Sequence, residues 1–247
     1  MSLVNTEAPP RALAPEPSLH RSRDEGDGAM REAEEAEAAG HKELAAERYV
    51  EAANHIAKIG GYDRAVALAE RALRLLDDAT AAASHRSVRI AALMTLGRTK
   101  WLAAGNDGHE HWLPSALAAL ESASSLLIAR DHVELRAELA QLTARVYADI
   151  GGEKQLSTAV ALLVWARRAL RGAGLALEAA LLLNDEAAVR ARRGELEHAR
   201  RLLQRSQRTF ARFVDASPVA RRELARTERL MARLARHAGT RIDSASR

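Results

Sequence analysis

Gly60-Gly61-Tyr62-Asp63-Arg64-Ala65-Val66-Ala67-Leu68-Ala69-Glu70-Arg71-Ala72-Leu73-Arg74-Leu75-Leu76 opens with a glycine turn and runs on as a helical pattern in which two small residues, Ala65 and Ala72, stand seven apart. Residues seven apart share one helical stripe, and small side chains there let a neighbouring helix approach closely over two turns. The arrangement returns three times: Ala116/Ala123 after Gly105-Asn106-Asp107-Gly108, Ala159/Ala166 after Gly151-Gly152, and Ala199/Ser206 after Gly194. From Ala65 to Ala116, Ala159 and Ala199 the steps are 51, 43 and 40 positions, within the range of helical-repeat arrays. The pattern predicts stacked helical hairpins.

Four hairpins follow, with helices over 41–59 and 62–76, 87–104 and 113–129, 131–150 and 156–171, and 175–192 and 195–213. Asp131 and Glu134 have capping-box spacing at the start of the third. The helix after Gly152 is apolar on nearly every side, Trp165 included, as an inner helix would be. A short acidic helix over 29–39 and a last helix over 218–237, behind a Ser217 cap, are expected to close the ends. Residues 1–27, which hold four of the six prolines and few large apolar groups, read as a disordered tail, and 238–247 as a C-terminal tail.

Apolar residues make up 47% of the chain and aromatics only 3%, so alanine and leucine, both strong helix formers, do most of the packing. There is no cysteine, which removes disulfides and thiolate metal sites and points to a reducing compartment. No apolar run reaches the ~18 residues of a membrane span, and the N-terminus lacks a secretory pattern; a cytoplasmic chain without membrane insertion is expected. The net charge of +4 is uneven: residues 190–247 hold 16 Arg against 6 Asp or Glu, leaving residues 1–189 at −6.

The hairpins resemble the tetratricopeptide repeat. The first unit matches best, with Tyr49, Ala53, Gly60, Tyr62, Ala65, Ala69 and Ala72; the second offers Leu93, Leu96, Gly97, Ala116 and Ala123; the third Ala144, Tyr147, Gly151, Ala159 and Ala166; the fourth Leu183, Ala187, Gly194, Leu196, Ala199 and Ser206. The unit-ending proline is missing throughout, and the spacing exceeds the family's usual 34 residues. The stretch from Leu182 to Val189 with Gly194-Glu195-Leu196 is also similar to the repeat regions of large bacterial signalling kinases, ATPases and LuxR-type regulators. The resemblance implies an all-α, right-handed α-solenoid of about four hairpins over 28–237 with terminal capping helices. It also implies a non-enzymatic protein-binding scaffold in bacterial signalling or regulation. In that family the first helices line a groove, which would be faced here by Asn54, Arg98, Gln141, Arg145 and Asn184; the partner would be an acidic protein or peptide. Asn54 stands where the family's carboxylate clamp has asparagine, whereas Val50 replaces the clamp's lysine.

Other chemistry finds little support. Gly151-Gly152-Glu153-Lys154-Gln155-Leu156-Ser157-Thr158 lacks the Gly-Lys-Ser/Thr order of a phosphate loop. His109-Glu110-His111 brings two histidines but no third ligand, so no metal or cofactor is expected. No Gly-x-Ser-x-Gly elbow is present. In the last helix Arg222, Arg226, Arg229, Arg233 and Arg236 step by four and three along one stripe, an expected docking strip for anions. This strip supplies the alternative function, a nucleic-acid-binding or transcription-regulatory module.

Overall fold

The computed structural model describes the backbone of residues 16–77, 85–105 and 110–245, and side chains within 21–236 of that span. Among them are ten α-helices and no strand: α1 (Glu16–Ala38), α2 (Lys42–Lys58), α3 (Tyr62–Asp77), α4 (Arg86–Ala104), α5 (Leu113–Leu126), α6 (Val133–Ile150), α7 (Glu153–Gly172), α8 (Ala176–Arg192), α9 (Leu196–Ala211) and α10 (Pro218–Ala245). Contacts divide the chain into two compact units, Met1–Leu127 and Ile128–Arg247. In the first, α2 pairs with α3 and α4 with α5, while α1 lies along α2. In the second, α6 pairs with α7 and α8 with α9, while α10 lies along α9. Within each unit every helix packs on the next one along the chain, as in helical repeats.

Four of the described turns are closed by one recurring device. Gly60 has φ 85° and Gly194 φ 84°, the left-handed region that only glycine enters without strain. In each case the next residue reaches back across the helix end, Gly61 N–H donating to Ile56 O at 3.0 Å and Glu195 N–H to Arg190 O at 2.9 Å, so two last-turn carbonyls are satisfied locally. His41 N–H to Ala36 O and Leu175 N–H to Leu170 O repeat the bond.

All eight residues of the four small pairs have no exposed surface. They are where helices meet, and a larger side chain has no room. Ala72→Leu in α3 and Ala166→Leu in α7 are each expected to destabilise by about 1–3 kcal/mol, the cost of overpacking; thermal melts matching the parent would show the register to be wrong.

Several boundaries differ from the sequence reading. The tail assigned to 1–27 is helical from Glu16, whereas residues 1–15 lie outside the described residues. Ala29, Ala33 and Ala36 bury one face of α1 on the first unit's core, and Gly26 lets its backbone lie close, since a Cβ there would stand 3.2 Å from His55 Cβ and Ile56 Cγ1. Pro17 falls in the first turn, where a missing N–H costs nothing. The last helix runs on to Ala245 instead of ending at His237, and α5 stops at Leu126. The N-cap of α6 is His132, one residue later than the capping-box spacing suggests, and Asp131 accepts the Ile128 N–H at 2.6 Å. Ser217 does cap α10, accepting from Ala220 N–H at 3.3 Å. Trp165 is not interior: it is 42% exposed, with the Arg136 guanidinium 5.3 Å from its ring centre.

Candidate interaction surface

Within the units, first helices adjoin first helices: α2 touches α4, and α8 touches both α6 and α10. The polar residues on these helices were the ones expected to face a partner. Asn54 of α2 is half-buried and accepts a hydrogen bond from Thr95 Oγ1 of α4 at 3.3 Å, so it ties two first helices together. Arg98 of α4 is also half-buried.

In the second unit the polar residues converge on Asp185 of α8, a residue the sequence reading passed over. Asp185 is 5% exposed. Its Oδ2 accepts from Gln141 Nε2 at 2.6 Å and from Arg145 Nε and Nη2 at 3.0 and 2.8 Å, and its Oδ1 accepts from Arg226 Nη2 at 2.8 Å. Arg226 also donates to Glu223 at 3.3 Å. One carboxylate thus joins α6, α8 and α10. Burial alone would raise its pKa, but Arg145, Arg226 and the Gln141 amide together outweigh burial and hold the carboxyl below its ordinary value.

This arrangement corrects two expectations. Asn184 faces no groove: it has no exposed surface, and its Oδ1 accepts from Ser206 Oγ of α9 at 2.8 Å and Thr227 Oγ1 of α10 at 3.0 Å. A residue placed on a first helix by repeat spacing turns inward here because Ser206, the one non-alanine in the small pairs, offers it a hydroxyl. Nor is the α10 strip continuous. Arg226 is held at Asp185, whereas Arg222, Arg229, Arg233 and Arg236 are exposed. The buried seam of α10 runs through Ala220, Glu223 and Thr227, with Leu230, Met231 and Leu234 against the core. Gln141 and Arg145 keep part of their surface while bound to Asp185.

A second row of arginines went unread in the sequence although its spacing matches the first. Arg201, Arg205, Arg208 and Arg212 step by four, three and four along α9 and just past its end, all exposed, opposite the buried Ala199, Leu202, Leu203, Ser206 and Phe210. Arg168 and Arg171 of α7 are exposed as well.

Of the two histidines weighed as metal ligands, His109 lies outside the described residues and His111 meets Trp112 edge-on at 5.9 Å. Among the described residues no group of three or more His, Asp or Glu is placed to hold a metal ion. No described helix is long and apolar enough to cross a membrane. Neither a protein-family model nor a curated protein matches the chain.

Proposed function

We propose that this chain is a tetratricopeptide-like hairpin array serving as a non-enzymatic adaptor, which holds an acidic segment of a partner protein against its first helices in bacterial signalling or regulation. One observation carries the reading. In each unit the first helices lie side by side, α2 on α4 and α6 and α10 on α8, and hydrogen bonds between them fix their polar side chains. Side chains already ordered lose little conformational freedom when a ligand arrives, which favours binding. Arg98, Asn54, Gln141 and Arg145 remain the contact residues of this reading, and Asn184 leaves it.

The variant that tests it must spare the Asp185 network. Arg98→Glu does so, because Arg98 belongs to the other unit. Fluorescence anisotropy with labelled acidic peptides at about 150 mM salt should show binding that weakens at least about fivefold in Arg98→Glu with helicity unchanged. Unaltered affinity would remove the first unit's first-helix face from consideration. Submicromolar binding to duplex DNA, lost when Arg222, Arg229 and Arg233 become Glu, would instead establish the nucleic-acid reading, because unspecific attraction gives only ~10⁻⁴ to 10⁻⁶ M at physiological salt.

A further inference from the structure

The turn that joins α9 to α10 carries no glycine, and most of its side chains are apolar: Phe213, Val214, Ala216, Pro218 and Val219, with Asp215 the one charge among them. None of the five is buried, and Phe213 and Val219 leave 37% and 39% of their surface in water. Backbone bonds hold them together. The Phe213 carbonyl accepts from Ala216 N–H at 3.1 Å and from Ser217 N–H at 2.9 Å, which closes the turn and brings Phe213 beside the start of α10, two residues before Val219. Arginines flank this apolar tip on both sides, Arg208 and Arg212 at the end of α9 and Arg221 and Arg222 early in α10, all exposed. Arg221 reaches back onto the turn, its Nη2 donating to Val214 O at 3.4 Å. Among the described residues no carboxylate pairs with Arg208, Arg212 or Arg221, and Arg222 meets Glu223 only at 3.7 Å with its side chain 73% exposed. Residues 208–222 hold four Arg against one Asp, a local +3.

We propose that this turn docks on the surface of an anionic lipid bilayer, Phe213 and Val219 entering the boundary beneath the headgroups while the arginines around them meet the headgroups. Charge alone would serve any polyanion, and the apolar tip decides between them. A nucleic-acid duplex presents phosphates with no apolar layer behind them, so Phe213 and Val219 would gain little there. A bilayer presents anionic headgroups and, roughly 5–10 Å deeper, hydrocarbon, which is the order in which the collar and the tip would meet it. Arginine suits the collar because its stem lies along apolar surface while its head stays in water. Each such residue near an anionic surface strengthens partition by roughly fivefold. Shallow contact of this kind requires no helix long enough to cross the membrane. The turn shares no residue with Asn54, Arg98, Gln141 and Arg145, so this site and the first-helix face can fail independently.

Co-sedimentation of the full chain with vesicles at about 150 mM salt tests it, using phosphatidylcholine alone and phosphatidylcholine with about one third phosphatidylserine. The chain is expected to bind the charged vesicles and not the neutral ones. Phe213→Ser with Val219→Ser keeps every charge and should weaken binding at least about fivefold, since the buried apolar area is lost. Arg208→Gln with Arg212→Gln should weaken it at least about tenfold. Arg201→Gln with Arg205→Gln removes the same charge farther back on α9, where Arg205 stands about 10 Å from Arg212 along the helix, and should change binding by less than about threefold, because exposed charges beyond roughly 8 Å are screened. Circular dichroism of each variant should match the parent, which separates lost docking from lost fold. Phe213→Trp gives a second reading that does not depend on removing the tip: brominated acyl chains should quench its emission beyond that of the parent with its three native tryptophans. No binding to charged vesicles, undiminished binding without Phe213 and Val219, equal losses in the two arginine variants, or no added quenching would each overturn the proposal. Submicromolar binding to duplex DNA that is lost with Arg208 and Arg212 but indifferent to Phe213 and Val219 would overturn it too, and give the turn to nucleic acid.

Discussion

Asp185→Ala is expected to lower the melting temperature by about 5–10 °C, the equivalent of about 2–3 kcal/mol in a chain of this size. The substitution leaves two guanidiniums and an amide facing a site that held one carboxylate. Removing one member of a buried ion pair costs ~3–5 kcal/mol when the remaining charge stays buried. Here the Arg145 and Arg226 side chains keep 29% and 37% of their surface in water, so solvent takes over part of the lost interaction and the lower end applies. Amide exchange should quicken in α6, α8 and α10, the helices the carboxylate joins. Acid gives an independent check. A carboxyl held below its ordinary value of 3.8 contributes stability that is complete above that pH and lost as pH falls through the folded value. The gap between parent and variant melting temperatures should therefore close below about pH 4. A variant melting within 1–2 °C of the parent near neutral pH would show that the network does not hold the helices, since even about 1 kcal/mol moves the midpoint by about 2–4 °C.

Gly97→Leu is expected to cost about 2 kcal/mol, even though replacing a mid-helix glycine ordinarily gains about 1 kcal/mol. Gly97 is buried in α4 against α5, and a Cβ there would stand 2.6 Å from Leu120 Cγ, 2.7 Å from Leu120 Cδ2 and 3.1 Å from the Ala116 carbonyl. Leu120 has no exposed surface into which to retreat, and the Ala116 contact is backbone. Overpacking wins over helix propensity. Adding Leu120→Ala should recover part of the loss, and a double-mutant cycle in which the two changes simply add would place the clash elsewhere.

Most helix positions were legible because each second helix carries its small pair behind a glycine turn, and both signals are local. The start of α1 was not. Its first turns are polar and carry proline and glycine, which look like linker until α2 supplies the surface that Ala29, Ala33 and Ala36 cover. The candidate site was legible only as a set of helix positions. Spacing put Gln141, Arg145 and Arg226 on suitable faces, but nothing in spacing says that Asp185, more than forty residues from both Gln141 and Arg226 in opposite directions, accepts from all three. Asn184 was misassigned for the same reason, since its partners Ser206 and Thr227 belong to later helices. The α9 row differs: its four-three-four steps were as plain as those of α10.

Hairpins whose turns are closed by their own backbone bonds are interchangeable parts, and such an array can grow or shrink by duplicating or deleting one. The hairpin containing α8 does not share that freedom. Asn184, Asp185 and Glu186 engage α9 and α10, α6 and α10, and α7, so three adjacent codons are matched to partners in four other helices. Copied alone, this hairpin would carry its acceptors into a place without their donors. Duplication or exchange should therefore succeed more readily in the first unit, where no described carboxylate is buried, and in the second only when the unit moves whole.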